Sequence, residues 1–219
     1  MKKNILFAAV LTLCSGTVMA EIGAGVQIGT TGAGVDAAYA FNNLITARVG
    51  YSGYSYNKTS NYNDVDYDGK LTLSNIRTLA DLSLPLGFRA TGGLIFQGNK
   101  INLTGKPSGG TYTINGTTYQ ASDVGQFDGQ IKWKNSAAPY LGLGWGSVSS
   151  TGIGFYADIG AMYQGKSKTT LNLTCGTALD ASQCAQLRAD GEAERIKVQD
   201  KASKYQWYPV ISMGLSIGF

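Results

Sequence analysis

Eight consecutive residues, GAMYQGKS (Gly160 to Ser167), satisfy the phosphate-loop pattern G-x-x-x-x-G-K-[ST]. In a nucleotide hydrolase that pattern follows a buried strand, cradles a phosphate with successive backbone N–H groups and opens into a helix. Here the flanking residues keep a two-residue alternation instead. Ile159, Ala161 and Tyr163 fall on one face, and Gly160, Met162 and Gln164 on the other. KTTLNLTC then reads as more strand, and Tyr163 would crowd a phosphate. The stretch belongs to a strand and is no nucleotide loop. The glycine-rich run from Gly29 to Gly34 fails as a dinucleotide fingerprint for the same reason.

Other chemistry is sparse. Histidine is absent, which removes histidine-dependent hydrolytic triads and histidine-ligated metal sites together. No catalytic set, metal site or cofactor is expected, and the chain reads as a non-enzyme. Cys175 and Cys184 fit an oxidising compartment and read as closing a small disulfide loop, with two free thiols as the alternative. What remains is a set of charges inside otherwise apolar-alternating segments: Asp36, Arg48, Arg77, Asp81, Arg89 and Asp158.

The elements that carry these charges are strands. The chain has 219 residues with thirty glycines and thirteen tyrosines. In its final segment Tyr205, Trp207, Pro209, Ile211, Met213, Leu215, Ile217 and Phe219 oppose Gln206, Tyr208, Val210, Ser212, Gly214, Ser216 and Gly218. One face is apolar with aromatics at both ends, and the other is small and mostly polar. Similar alternation marks eight segments, near 22–29, 33–41, 44–56, 67–83, 88–104, 128–145, 153–173 and 205–219. In the fourth, Leu71 and Leu73 share the phase of Arg77 and Asp81. That predicts either a bulge or a strand that outruns the membrane.

Residues 1–20 read as a secretory signal peptide, with Lys2 and Lys3 before an apolar run and Val18-Met19-Ala20 as the cleavage site. Without those two lysines, 16 basic residues face 14 acidic ones, so no nucleic-acid partner is expected. Connections near 42–43, 84–87 and 146–152 are short, whereas those near 57–66, 105–127 and 174–204 are long and polar; the first connection, 30–32, is short and breaks the rule. The tyrosine-rich stretches NYNDVDYDG and GGTYTINGTTYQ read either as partner-binding loops or as strand extensions, and the run 188–204 as a short helical turn. Short turns on one side and long loops on the other, with an even strand number, predict an all-β fold. It is an eight-stranded antiparallel transmembrane β-barrel over residues 21–219, with both termini periplasmic. A bilayer admits closed barrels because no backbone group is left unpaired. A basic residue on the lipid face near the midplane would cost about 2–4 kcal/mol, so the six charges belong inside. There they form either a polar plug or a narrow solute path.

The ordered set IGTTGAG (28–34), INGTTYQ (114–120), APYLGLGWG (138–146), IGAMYQGKSKTTL (159–171) and KYQWYPVISMGLSIGF (204–219) resembles the Gram-negative outer-membrane proteins of the carbapenem-susceptibility porin, ornithine-uptake type. The resemblance spans nearly the whole mature chain. It implies a constricted eight-stranded barrel and uptake of small or basic amino acids. The expected function is therefore a narrow passive channel for small polar or cationic solutes, with a non-transporting structural or loop-binding protein as the alternative. Expected partners are outer-membrane lipid and lipopolysaccharide, small amino-acid solutes, and the barrel-assembly machinery through the strand ending in Phe219.

Overall fold

The computed structural model describes residues 21–62, 65–107, 109–149 and 151–219, so the signal peptide expected over 1–20 lies outside the described residues. The strands are β1 (Ile22–Gly29), β2 (Gly32–Ala40), β3 (Ile45–Tyr62), β4 (Val65–Ser83), β5 (Phe88–Gln97), β6 (Lys100–Pro107), β7 (Thr111–Ile114), β8 (Thr117–Gln120), β9 (Val124–Trp133), β10 (Ala137–Trp145), β11 (Gly152–Tyr163), β12 (Ser167–Cys175) and β13 (Trp207–Gly218). An α-helix, α1 (Ala181–Ala202), precedes β13.

Eight of these strands close a ring, in the order β1-β2-β3-β4-β5-β10-β11-β13 and back to β1. Every neighbouring pair is antiparallel. The first and last described residues meet at one rim, where the Phe219 N–H donates to the Ile22 carbonyl at 2.8 Å. The period-two pattern sorts side chains cleanly. Leu141, Leu143, Ile159, Leu215 and Ile217 stand exposed on the outer wall, while Arg48, Tyr156 and Ser212 are buried within. Aromatic residues edge the outer wall at both ends: Phe88, Trp145 and Phe155 at the rim of the chain ends, Phe96, Tyr163 and Trp207 at the other.

Three of the eight predicted segments are broken in two. The segments 88–104, 128–145 and 153–173 become β5–β6, β9–β10 and β11–β12, with breaks at 98–99, 134–136 and 164–166. The ring pairing Phe96↔Ala137 gives way to Lys100↔Lys132 beyond the break, so 134–136 holds one residue more than the facing strand. That extra residue swaps the faces of the sixth arm.

Beyond the ring, β3, β4, β6, β9 and β12 continue as an open five-stranded sheet. β4 carries no bulge: its register with β3 is unbroken from Ile45↔Leu82 to Tyr62↔Val65. Of the two expectations for Leu71 and Leu73, the strand that outruns the ring is correct. They sit above it, where the inner face turns apolar.

Much of the three long connections is regular structure: the tyrosine-rich stretches are strand extensions, one of the two readings given for them, and the purely looped reading is corrected. Residues 57–62 and 65–66 are the paired far ends of β3 and β4, and 105–127 holds the end of β6 and the start of β9 with the β7–β8 hairpin between them. The short turn expected within 188–204 is a 22-residue helix starting at Ala181. Its start is a capping box: Asp180 accepts from the Gln183 N–H at 2.8 Å, and Gln183 Oε1 accepts from the Asp180 N–H at 3.0 Å. α1 lies along the free edge of β12. Thr169, whose backbone has no further strand to pair with there, donates its N–H to Gln199 Oε1 at 3.2 Å and accepts from Arg195 Nη1 at 3.1 Å.

Candidate functional site: a buried ionic network in the lumen

All six charges expected inside are there, each with 6% or less of its surface exposed. β2 supplies Asp36, β3 Arg48, β4 Arg77 and Asp81, β5 Arg89 and β11 Asp158. The network hinges on Arg48. Its Nη1 donates to Asp158 Oδ2 at 2.8 Å and its Nη2 to Asp158 Oδ1 at 3.0 Å, a two-pronged contact. Nη2 also donates to Asp81 Oδ1 at 3.2 Å. Arg89 Nη2 reaches Asp158 Oδ1 at 2.7 Å, and its Nη1 donates to the Gly146 carbonyl. Arg77 Nη2 donates to Asp36 Oδ1 at 2.9 Å. Three carboxylates thus meet three guanidiniums with no net charge, the condition under which buried ions are tolerable.

Sequence reasoning missed the neutral members. Tyr156 donates to Asp36 Oδ2 at 2.7 Å, and its ring lies 5.9 Å from both the Arg48 and the Arg89 guanidinium carbons. It joins the two halves of the network. Its place on the inner face, two residues before Asp158, was the available signal. Thr91 donates to Asp81 Oδ1 at 2.6 Å. Gln27, on the same inner wall, is 3% exposed, and neither its amide N–H nor its carbonyl has a protein partner among the described residues.

Glycines directly opposite on the neighbouring strand make room for these side chains. A Cβ at Gly50 would run into the Asp36 carboxylate, and one at Gly144 into the Arg89 guanidinium. Above the charges Leu79, Ile95, Ala138, Tyr140, Met162 and Val210 form an apolar layer across the lumen. Below them, Val148 of the β10–β11 turn is tucked in beside Ala38 and Tyr156, and Ser216 Oγ donates to the Ser147 carbonyl at 3.1 Å. The lumen is filled by side chains, as expected of eight strands.

Beyond the ring a cavity of about 370 Å³ lies between α1 and the open sheet, with Tyr56, Leu71, Ile101, Ile131 and Leu171 in its lining. Cys175 and Cys184 form a disulfide, Cα–Cα 5.7 Å, which ties the first turn of α1 to the end of β12. Asp190 of α1 accepts from the Tyr119 hydroxyl at 2.6 Å and from Asn115 Nδ2 at 3.2 Å, docking the β7–β8 hairpin. Those bonds hold the Asp190 carboxyl down at about 2. Burial, together with the bond to Asp190, pushes the Tyr119 hydroxyl up to about 12.

An apolar outer wall, a closed antiparallel ring of eight strands and a charge-neutral ionic network in the lumen define a closed eight-stranded β-barrel. No family model matches the sequence, and neither does any curated protein. Among solved structures, CarO2 of Acinetobacter baumannii is similar at TM-score 0.59 and 23% identity, over 91% of this chain and 98% of that one. CarO of the same organism is similar at TM-score 0.56 and 25% identity, over 90% and 97%. The resemblance carried by the ordered sequence motifs therefore stands at the level of structure: the neighbours are CarO barrels.

Proposed function

We propose that this chain resides in the outer membrane of a Gram-negative bacterium and passes small polar or cationic solutes, amino acids among them, down their gradient. The ionic network keeps the lumen shut between passages. The observation that carries the reading is the neutral cluster of three aspartates and three arginines spanning the lumen of a ring whose outer wall is apolar. A bilayer would cover that wall, and the chain ends would lie on the periplasmic side, where Phe219 closes the strand offered to the assembly machinery. The similarity to CarO barrels, which are outer-membrane proteins, supports the same placement. Two-pronged guanidinium–carboxylate contacts can be exchanged: a zwitterionic solute brings one ammonium and one carboxylate, each able to replace a member of a pair.

Liposome swelling with ornithine, glycine and a neutral sugar tests this. Ornithine and glycine should enter faster than the sugar, and a single-channel trace should show brief openings. Equal, background-level rates for all three would remove the transport reading. The filled lumen favours one alternative, a non-transporting barrel that acts through the structure above the ring. In that case Asp158→Asn leaves the phenotype intact, whereas trimming the β7–β8 hairpin abolishes it.

A further inference from the structure

Outside the lumen, the strongest unassigned feature is a cluster of lysines just past the ring. Lys100 of β6 stands directly opposite Lys132 of β9, and Lys132 directly opposite Lys168 of β12. The Lys134 N–H bonds to the Lys166 carbonyl, which sets a second pair beside the first. Like charges directly across neighbouring strands repel, so a three-strand row of them works against the sheet that holds it. None of the five has a carboxylate partner among the described residues. Lys132, Lys134, Lys166 and Lys168 are exposed and line one open depression of about 860 Å³, with Arg195 at its margin.

Their face and height are set by the fold. On β12, Ser167 and Thr169 are buried while Lys166 and Lys168 are exposed, so the lysines lie on the outside of the sheet, in line with the outer wall of the ring. Tyr163 and Trp207, with ring centroids 5.0 Å apart, mark the aromatic edge of that wall. Lys166 and Lys168 follow Tyr163 by three and five residues, at most about 17 Å along the strand. A patch at that height, on the side away from the chain ends, faces the headgroup layer of the outer leaflet.

We propose that the Lys100, Lys132, Lys134, Lys166 and Lys168 patch binds the phosphates of an anionic glycolipid of the lipid A type in the outer leaflet. The inference rests on the outer-membrane reading above. Phosphate oxygens bridging neighbouring ammonium groups supply the missing counter-charge, and the acyl chains continue down the apolar wall below Tyr163. The height beside the aromatic edge favours a lipid over a free anion.

The test reconstitutes the full mature chain into phosphatidylcholine nanodiscs doped with hexa-acylated lipopolysaccharide and measures lipid retained after detergent extraction by mass spectrometry of the intact complex. Lys132→Gln/Lys166→Gln/Lys168→Gln should retain at least about tenfold less, by loss of counter-charge at the bilayer surface. Lys197→Gln/Lys201→Gln/Lys204→Gln, which removes equal charge elsewhere, should match wild type. Wild-type protein should also discriminate against the dephosphorylated lipid, an arm that needs no variant. Equal retention by both triple variants, or equal retention of both lipids, would overturn the proposal. So would inorganic phosphate binding as tightly as the lipid, which would make the patch a small-anion site. Failure of the outer-membrane reading looks different. The chain would then not insert at all, and water-borne thiol reagents would label Leu215→Cys as fast as Ser216→Cys; both ideas would fall together.

Discussion

Replacing Arg48 by methionine keeps the length of the side chain and removes the guanidinium at the centre of the network. Asp158 would lose two hydrogen bonds, at 2.8 and 3.0 Å, and keep Arg89 at 2.7 Å. Asp81 would keep Thr91 at 2.6 Å and a distant Arg89 Nε at 3.7 Å. Three acids would then face two bases, leaving one unbalanced negative charge in a network whose charged members are at most 6% exposed. Breaking a buried pair from one side costs about 3–5 kcal/mol, since the remaining ion keeps its desolvation penalty. That is between two and four powers of ten in the folding equilibrium. Urea titration in detergent micelles, followed by the heat-dependent gel shift of the folded barrel, measures it. Adding Asp158→Asn to Arg48→Met removes the unbalanced charge, so the double variant should be more stable than the sum of the two losses predicts by about 0.5–3 kcal/mol. A loss below about 1 kcal/mol, or strict additivity, would show that water reaches these groups and that the network does not hold the lumen shut.

Gly50→Ala should destabilise the ring by about 1–3 kcal/mol through overpacking against Asp36, measured by the same titration, while Gly92→Ala, whose added Cβ would meet only ordinary van der Waals contacts, should leave the ring unchanged. Asp190 is held below its unfolded value, so its contribution to hairpin docking is full above about pH 4 and is lost as the pH falls towards about 2. Hydrogen exchange over 111–120 should accelerate in that window, and Asp190→Asn should abolish the pH dependence. Tyr119 runs the other way, and its contribution should fade as the pH rises from about 10 through about 12. Cys175→Ser/Cys184→Ser should loosen α1 by about 2–3 kcal/mol without lowering the urea midpoint of the ring, read as faster exchange confined to 181–202.

The ring and the facing of its side chains were legible because a two-residue period leaves little choice. In 205–219 and 153–163 the large apolar residues gather mainly on one face, with Tyr208, Val210, Tyr156 and Met162 on the other, so Asp158 had to point inward once Ile159 pointed out. The pairing within the lumen was not legible. Arg48 meets Asp158 across 110 positions of sequence, a contact fixed by ring closure and by no local pattern. The break at 134–136 was hidden because an alternation interrupted by one extra residue still reads as alternation on both sides. The β7–β8 hairpin carried a signal that went unread: Asn115-Gly116, both at positive φ, sits between two short tyrosine-bearing runs. α1 was underestimated because it buries little beyond Leu187, Asp190 and Gly191, so no apolar stripe announced it; the Asp180 and Gln183 capping pair was the remaining cue.

The placement of α1 along β12 has a practical consequence for anyone shortening the surface-exposed part of this molecule. Arg195 and Gln199 work as a cork on β12 at Thr169, occupying a donor and an acceptor that another copy would otherwise seize. Removing the helix to ask what it recognises would turn a sealed margin into a growth front. A null result could then reflect clumped molecules as readily as a missing epitope. A trimmed protein that keeps residues 181–202 and sacrifices only the β7–β8 hairpin separates the two.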